Sequence, residues 1–137
     1  MRYLGATSLC VLLATLPAGA RADDGGAIVS LVALVSNPER YAGQKVLVTG
    51  FCSLGFEDTA VYLHEEDYRR TLTPNSIWLE LVPPHSGRPN PAHENYCLVE
   101  GNFSSEAARN GRGGRLHDIT RLEVLPSRAE LAAKLRQ

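Results

Sequence analysis

The segment that most constrains the fold is QKVLVTGFCSL at residues 44–54, where two different sets of side chains alternate along the chain. Successive side chains of a β-strand point to opposite faces, so the segment predicts a strand with two distinct faces. One face carries Val46, Val48, Gly50, Cys52 and Leu54, and the other carries Leu47, Thr49 and Phe51. Because a glycine in mid-strand is typical of a bend or a bulge, we expect one of these at Gly50.

Four further short strands are predicted after this one, with turn-forming or charged residues between them. They lie at residues 59–64, 76–82, 96–103 and 115–125. Five short strands favour a small closed or partly closed barrel, because a flat sheet would expose long unpaired edges. We therefore predict a mainly β protein with one five-stranded, OB-like barrel domain over residues 23–126.

A helical pattern precedes the strands at residues 27–41. Three apolar residues recur there at the spacing of one helix face: Leu31, Leu34 and Val35. Asn37 as a cap and Pro38 at the first helical position predict that a short second turn begins after them. We expect an N-terminal helix that packs through one side.

A second helical pattern follows the strands at residues 127–137. Ser127 and Glu130 have the spacing of a capping box, in which each side chain accepts a hydrogen bond from the other residue's backbone. A helix beginning there shows Leu131 and Leu135 on one face. The sequence predicts a short C-terminal helical tail outside the barrel domain.

The first 22 residues have the pattern of a cleavable secretory signal peptide. Arg2 forms a short positive region, residues 9–16 are apolar, and Ala20-Arg21-Ala22 has the form of a cleavage site. The apolar run is too short to span a membrane, and no stop-transfer segment follows it. We predict a signal peptide at residues 1–22, cleavage after Ala22, and a periplasmic or secreted protein with no membrane span.

Loss of the signal leaves two of the three cysteines, Cys52 and Cys97. Paired cysteines in an oxidising compartment are usually bonded, and these two lie on the inward-facing sets of the first and fourth predicted strands. Those strands are neighbours in an OB-type barrel, so we predict a Cys52–Cys97 disulfide. The alternative is two buried thiols that act as small apolar side chains.

The charge of the mature chain limits its partners. Loss of Arg2 and Arg21 with the signal leaves 12 basic and 15 acidic residues, a net charge of about −3. Nonspecific binding to nucleic acid or to an anionic membrane depends on an excess of lysine and arginine. The acidic balance therefore disfavours both for the chain as a whole.

The segment NPERYAGQKVLVTGF resembles the NPEKYxGKxVxVxG opening of bacterial OB-fold-like domains, in which a helix leads into the first barrel strand. Later segments are similar to small exported bacterial proteins of that fold: GFEDTAVYLHEEDY, SIWLEL, YCLVEGNF and DITRLEVL. The similarity covers roughly residues 28–125. It implies an OB-like barrel, but it brings no catalytic residues, and a fold does not by itself define an activity.

The sequence carries no recognisable metal or catalytic motif. No histidine pair has the H-x-x-x-H or H-E-x-x-H spacing, and no serine lies in a G-x-S-x-G elbow. We therefore predict no metal, no cofactor and no enzymatic activity. The least favoured alternative is a hydrolase acting through His64 and the acids of residues 65–67, although we interpret residues 65–70 as a solvated connection between strands.

The outward faces of three predicted strands offer a binding surface. On the alternation above, this surface comprises Phe51, Tyr62, His64, Trp78 and Glu80. An exposed aromatic stripe would stack on sugars, bases or an apolar protein surface. The alternative is a second small core in which the N-terminal helix covers the aromatic rings.

The glycine-rich loop at residues 104–114 offers a second candidate site. Its arginines, together with the one that opens the next strand, would bind an anion with help from backbone amides. They are Arg109, Arg112 and Arg115. The alternative is a flexible hairpin connection that the arginines keep soluble.

Together these features predict an exported, non-catalytic binding module that engages a protein or an envelope component. A more specific form is an inhibitor or immunity protein that blocks a toxin or enzyme exported to the same compartment. The alternative is an OB module for oligosaccharide or single-stranded nucleic acid, with stacking on Phe51, Tyr62 and Trp78 and charge from Arg112 and Arg115. The sequence does not define the oligomeric state.

Overall fold

The computed structural model describes residues 25–83, 85–86, 89–106 and 111–136. The predicted signal peptide at residues 1–22 and the candidate Arg109 lie outside the described residues. The strands are β1 (Ala27–Ile28), β2 (Lys45–Leu54), β3 (Thr59–Tyr62), β4 (Ser76–Leu79), β5 (Asn95–Ser104) and β6 (Arg115–Val124). The helices are α1 (Leu31–Ser36), α2 (Pro38–Tyr41), α3 (Glu65–Arg69) and α4 (Arg128–Lys134), with a 3₁₀ turn at Thr73–Asn75.

Five of the strands close into a barrel, in the order β2, β3, β4, β6, β5 and back to β2. The β4–β6 pair is parallel, and the other pairs in the barrel are antiparallel. Closure gives each of these strands a partner on both sides, which removes the exposed edges of an open sheet. The mainly β, five-stranded OB-like barrel predicted from the sequence is therefore confirmed.

The barrel core is formed by the inward-facing side chains predicted from the strand alternation. Buried members of this core include Val46, Val48, Cys52, Val61, Ile77, Leu79, Cys97, Val99, Phe103 and Leu116. Leu31 and Leu34 of α1 belong to the same cluster, so the helix packs on the barrel core. Each fully buried aliphatic side chain contributes about 1.5–3 kcal/mol by leaving water.

A disulfide joins Cys52 of β2 to Cys97 of β5, with 5.9 Å between the two Cα atoms. The two strands are antiparallel neighbours, as an OB-type barrel requires. The prediction of this bond is confirmed. In the chain-entropy model, closing a loop of this length stabilises the fold by about 4 kcal/mol.

Gly50 serves a close approach of two strands, and the bulge expected there is absent. A Cβ atom at this position would collide with the carbonyl oxygen of Tyr62 and the side chain of Val61, so only glycine lets β3 lie this near β2. The irregularity in the sheet lies in β5 instead, between Glu100 and Asn102. The bulge alternative at Gly50 is therefore wrong, and the structure gives this glycine a packing role.

The N-terminal helix is shorter than the predicted span of residues 27–41. Ser30 caps α1 by accepting a hydrogen bond from the Ala33 amide at 3.1 Å, so the helix begins only after it. Residues 27–28 form β1 and pair in parallel with the first half of β2. Pro38 opens α2 as predicted, but the Asn37 side chain makes no capping hydrogen bond.

The C-terminal helix has the predicted capping box, with both reciprocal hydrogen bonds present. Ser127 Oγ accepts from the Glu130 amide at 3.2 Å, and Glu130 Oε2 accepts from the Ser127 amide at 2.6 Å. No residue of α4 is buried. Within the described part of the chain, no helix has the length and apolar character needed to cross a bilayer.

Candidate binding groove on the outer barrel face

The outer face of β2, β3 and β4 is divided by α3 into a covered half and an open half. The sequence interpretation of residues 65–70 as a solvated connection is wrong, because Glu65–Arg69 form α3. Ion pairs at helical spacing support it: Arg69 with Glu65 and Arg70 with Glu66, both at 2.5 Å. The helix therefore covers part of the surface that the strand alternation left exposed.

The covered half consists of Phe51, Tyr62 and Tyr68. Phe51 and Tyr62 are directly opposite each other on β2 and β3 and are only 4% and 1% exposed. The Tyr68 ring of α3 lies over both, with centroid distances of 5.4 Å to Phe51 and 5.6 Å to Tyr62. The predicted exposure of Phe51 and Tyr62 is therefore wrong, and the cover is α3, since Leu31 and Leu34 of the N-terminal helix lie in the barrel core.

Hydrogen bonds fix the hydroxyl groups of the covered half. Tyr62 donates to Asp58 Oδ2 at 2.9 Å, and Tyr68 donates to Glu94 Oε1 at 2.8 Å. Burial raises the pKa of the Tyr62 phenol, and the hydrogen bond to Glu94 raises the pKa of Tyr68. Both hydroxyls therefore stay protonated as donors at neutral pH.

Arg112 is a structural residue, and its predicted exposure in an anion-binding loop is corrected. It is 5% exposed, its guanidinium forms an ion pair with Asp58, and it donates to Ser76 Oγ. The guanidinium carbon lies 5.4 Å from the Tyr62 ring centroid and 5.7 Å from that of Trp78. Arg112 thus connects the covered half to Trp78 through charge and cation–π contacts.

Arg115, the other described arginine of the candidate loop site, is also engaged within the chain. Its guanidinium approaches Glu80 at 3.4 Å and Glu106 at 3.5 Å, and its side chain remains about one-third exposed. The structure therefore gives both described arginines carboxylate partners in this chain.

The open half contains a groove of about 300 Å³, which we call the Trp78 groove. The β2–β3 hairpin, the end of β4 and the loop of residues 80–94 form its walls. Its apolar lining includes Leu54, Phe56, Trp78 and Leu81, and its polar lining includes Thr59, Glu80, His85, Ser86 and Asn90. Trp78 and Glu80 of the predicted outer face therefore lie in this groove.

Phe56 is the most exposed aromatic residue of the groove. It lies at the tip of the β2–β3 hairpin, and its relative exposure of 102% shows that no described residue covers it. Trp78 beside it is half-buried. An apolar floor with polar groups at defined positions is typical of a site that binds a ligand or a partner segment.

The walls of the groove are held by hydrogen bonds within the chain. In the hairpin, Ser53 Oγ donates to the Asp58 carbonyl at 2.7 Å and Thr59 Oγ1 donates to the Gly55 carbonyl at 2.8 Å. On the opposite wall, the Leu54 amide donates to Nδ1 of His93 at 2.9 Å, which ties the loop of residues 80–94 to the end of β2. These hydrogen bonds preorganise the hairpin wall of the groove, which lowers the entropy cost of binding there.

His64 lies away from the Trp78 groove, in a shallow depression of about 450 Å³. The other lining residues are Glu65, Glu66, Arg69 and Tyr96. Nearby, Asp67 is 9% exposed and accepts a hydrogen bond from Asn75 at 3.0 Å. Within the described residues, no group of three or more His, Cys, Asp or Glu side chains is arranged to hold a metal ion.

Comparisons with known proteins do not assign a role to either half. No protein-family model, curated protein or solved structure matches the chain. Function is therefore inferred from the residues of the groove itself.

Phe56 is the functional candidate that sequence reasoning missed. The sequence places it in the short GFED segment between the first two predicted strands, where a turn is expected. Two-residue and other short hairpin turns favour Gly, Asn, Asp and Ser, so a phenylalanine at the tip was the available signal. His85 and Asn90 of the loop gave no comparable signal, because the tertiary path of the loop alone brings them to the groove.

Proposed function

We propose that this protein is an exported, non-catalytic binding module that engages a protein or another envelope component through the Trp78 groove. The observation that carries the proposal is that the fully exposed Phe56 and the half-buried Trp78 line the same groove. A phenylalanine that is fully exposed among the described residues gains little stability from its position. Aromatic side chains of this kind commonly form the anchors of interfaces.

The surroundings of Phe56 support a protein partner. Apolar groove residues flanked by polar and charged ones have the layout of an interface, with a dry centre and a wet rim. The hairpin that carries Phe56 is braced by the two internal hydrogen bonds of Ser53 and Thr59, so the ring is presented from a rigid base. A rigid projecting aromatic would insert into a partner's cleft, and this geometry supports the inhibitor or immunity form of the proposal.

The test is capture of partners from an envelope extract by the mature protein, residues 23–137, followed by mass spectrometry. We expect a specific protein to be captured by the wild type, and Phe56→Ala to lose it. Val32→Ala is the matched control, because Val32 is an exposed apolar residue on α1 with 57% exposure. Equal capture by the Phe56→Ala variant and the wild type would falsify the role of the groove.

A second candidate is binding of an oligosaccharide or single-stranded nucleic acid at the same groove. The accessible Trp78 ring next to Glu80 and Asn90 favours it, because rings stack on aromatic faces while polar side chains bond hydroxyl or base groups. Trp78 is the one tryptophan of the chain, so intrinsic tryptophan fluorescence reports on the groove directly. Titration with envelope glycans and with an oligothymidylate should change the emission if this candidate holds, and unchanged emission with both excludes it.

A further inference from the structure

The C-terminal helix α4 exposes apolar side chains that nothing in the described chain covers. Leu131 is 48% exposed and Leu135, its C-cap, is 88% exposed. Short helices usually depend on packing of an apolar face, and α4 has seven residues with none buried. The capping box at Ser127 explains how the helix is defined without that packing, but it leaves the leucines in water.

Cations flank these leucines on both sides. Successive residues of a helix are rotated by about 100° around its axis, so Leu135 lies about 40° from Leu131. Arg128 and Lys134 each lie about 60° from Leu131, on opposite sides of it. Arg128 forms no ion pair within the described residues, and Arg136 donates only to the Ala132 carbonyl. Residues 127–137 carry three basic residues and one acidic residue, in contrast to the net negative charge of the mature chain.

An apolar groove of about 410 Å³ begins at the first turn of α4 and enlarges this surface. Its apolar lining includes Tyr96 and Val124, which are 43% and 41% exposed, together with Leu125 and Pro126, and its polar lining is Asn95, Ser127 and Glu130. Tyrosine is favoured at membrane–water boundaries, because its ring is apolar and its hydroxyl is polar. The helix and the groove together offer leucine, valine and tyrosine side chains, and the cations beside them are Arg128 and Lys134 of α4.

We propose that α4 and the adjoining Tyr96–Val124 groove dock the protein reversibly on an anionic lipid bilayer. The leucines enter the boundary between headgroups and acyl chains, and Arg128 and Lys134 contact lipid phosphates. Attraction between a few cations and an anionic surface is modest and is screened by salt, so docking is weak and salt-sensitive. The acidic balance of the whole chain does not oppose this, because the attraction falls off within a Debye length of α4.

A second copy of the chain fits α4 less well than a bilayer. A helix pair joined through Leu131 and Leu135 would bring Arg128 and Lys134 of one copy toward the same cations of the other. Such like-charge contacts are destabilising, whereas lipid phosphates complement them. The inference does not depend on the Trp78 groove.

The experiment is co-sedimentation of the mature protein with vesicles of phosphatidylcholine alone or of equal parts phosphatidylcholine and phosphatidylglycerol. We expect sedimentation with the anionic vesicles only, decreasing as NaCl rises from about 0.05 M to about 0.5 M. Leu131→Glu with Leu135→Glu should weaken binding at least about tenfold, because the apolar contact is lost and negative charge is added. Arg128→Glu with Lys134→Glu should weaken binding to a similar extent.

Val32→Glu with Ile28→Glu is the matched control, since it places the same two negative charges on exposed apolar residues before the barrel, and it should bind as the wild type does. Phe56→Ala should also keep full vesicle binding, which separates this inference from the role of the Trp78 groove. The α4 variants should fold, because no residue of this helix is buried, and circular dichroism verifies this. No sedimentation with anionic vesicles, or equal sedimentation with neutral ones, overturns the proposal, as does concentration-dependent dimerisation that the Leu131 and Leu135 substitutions abolish.

Discussion

The covered and open halves of the outer barrel face lie on neighbouring strands, but their aromatic residues are buried in one half and exposed in the other. In the covered half, Tyr68 of α3 folds over Phe51 and Tyr62 and turns them into a small second core. In the open half, the tight β2–β3 hairpin carries Phe56 away from the sheet, and Trp78 stays half-exposed. The difference shows that the connections between strands, more than strand alternation, decide whether an outward aromatic becomes core or contact surface.

The largest expected effect on stability comes from replacing a phenylalanine by alanine in each half and comparing the two variants. Phe51→Ala should lower the free energy of unfolding by about 3–5 kcal/mol, because it leaves a cavity under Tyr68. Phe56→Ala should change it by less than about 0.5 kcal/mol, because the ring contacts nothing. Urea unfolding followed by circular dichroism measures both, and similar losses in the two variants would show that the division into halves is wrong.

Arg112 connects the halves, so its removal should affect both. Arg112→Met should lower the free energy of unfolding by about 2–4 kcal/mol, because Asp58 loses its ion-pair partner and Ser76 Oγ loses the hydrogen bond that the guanidinium donates. The partial exposure of Asp58 keeps the loss below that of a fully buried pair. Arg115→Met is the matched control and should cost at most about 1 kcal/mol, since its ion pairs face solvent.

The Arg112→Met variant should also shift the emission of Trp78, whose ring lies 5.7 Å from the guanidinium carbon. A stability loss with unchanged emission would mean that Arg112 acts on the covered half alone.

Opening the cover should produce a smaller loss of stability. Tyr68→Ala should cost about 1–2 kcal/mol, because Phe51 and Tyr62 lose an aromatic contact and Glu94 loses its hydrogen bond. Tyr68→Phe keeps the ring and should cost less than Tyr68→Ala. Hydrogen exchange would show faster exchange in α3 and the facing part of β2 for the alanine variant, and unaltered exchange there would contradict the assigned role of α3.

The smallest effect is confined to alkaline pH. The raised pKa values of Tyr62 and Tyr68 mean that the unfolded chain releases these phenolic protons first. The stabilisation is complete below the ordinary tyrosine pKa of about 10 and is lost as pH rises through the raised folded values. The urea concentration at the midpoint of unfolding should therefore fall more steeply, as pH rises from neutral to about 11, in the wild type than in a variant with Tyr62→Phe and Tyr68→Phe.

The barrel was predictable because its signals are local. The alternation in β2 correctly assigned Val46, Val48 and Cys52 to the interior, and the Ser127 capping box was visible as a four-residue pattern. The Cys52–Cys97 bond followed from strand adjacency in the expected barrel. These inferences do not depend on the three-dimensional path of the connections between the strands.

The division of the outer face was not predictable from the same signals. The cover formed by Tyr68 depends on the direction in which α3 leaves β3, and that direction is set by tertiary contacts. Arg112 is buried only because Asp58, 54 positions earlier, supplies its counter-charge. No local pattern joins these two residues, so an arginine among glycines was interpreted as a solvent-facing one.

The Cys52–Cys97 bond has a topological consequence for both halves. The chain between the two cysteines contains β3, α3 and β4, and it therefore carries the cover, Phe56 and Trp78 inside one covalent ring. A protease that cut the loop of residues 80–94 would open the ring without releasing either fragment. The nicked protein would migrate as a single species until a reductant separated it, and its two outer-face regions would stay tethered to the barrel throughout.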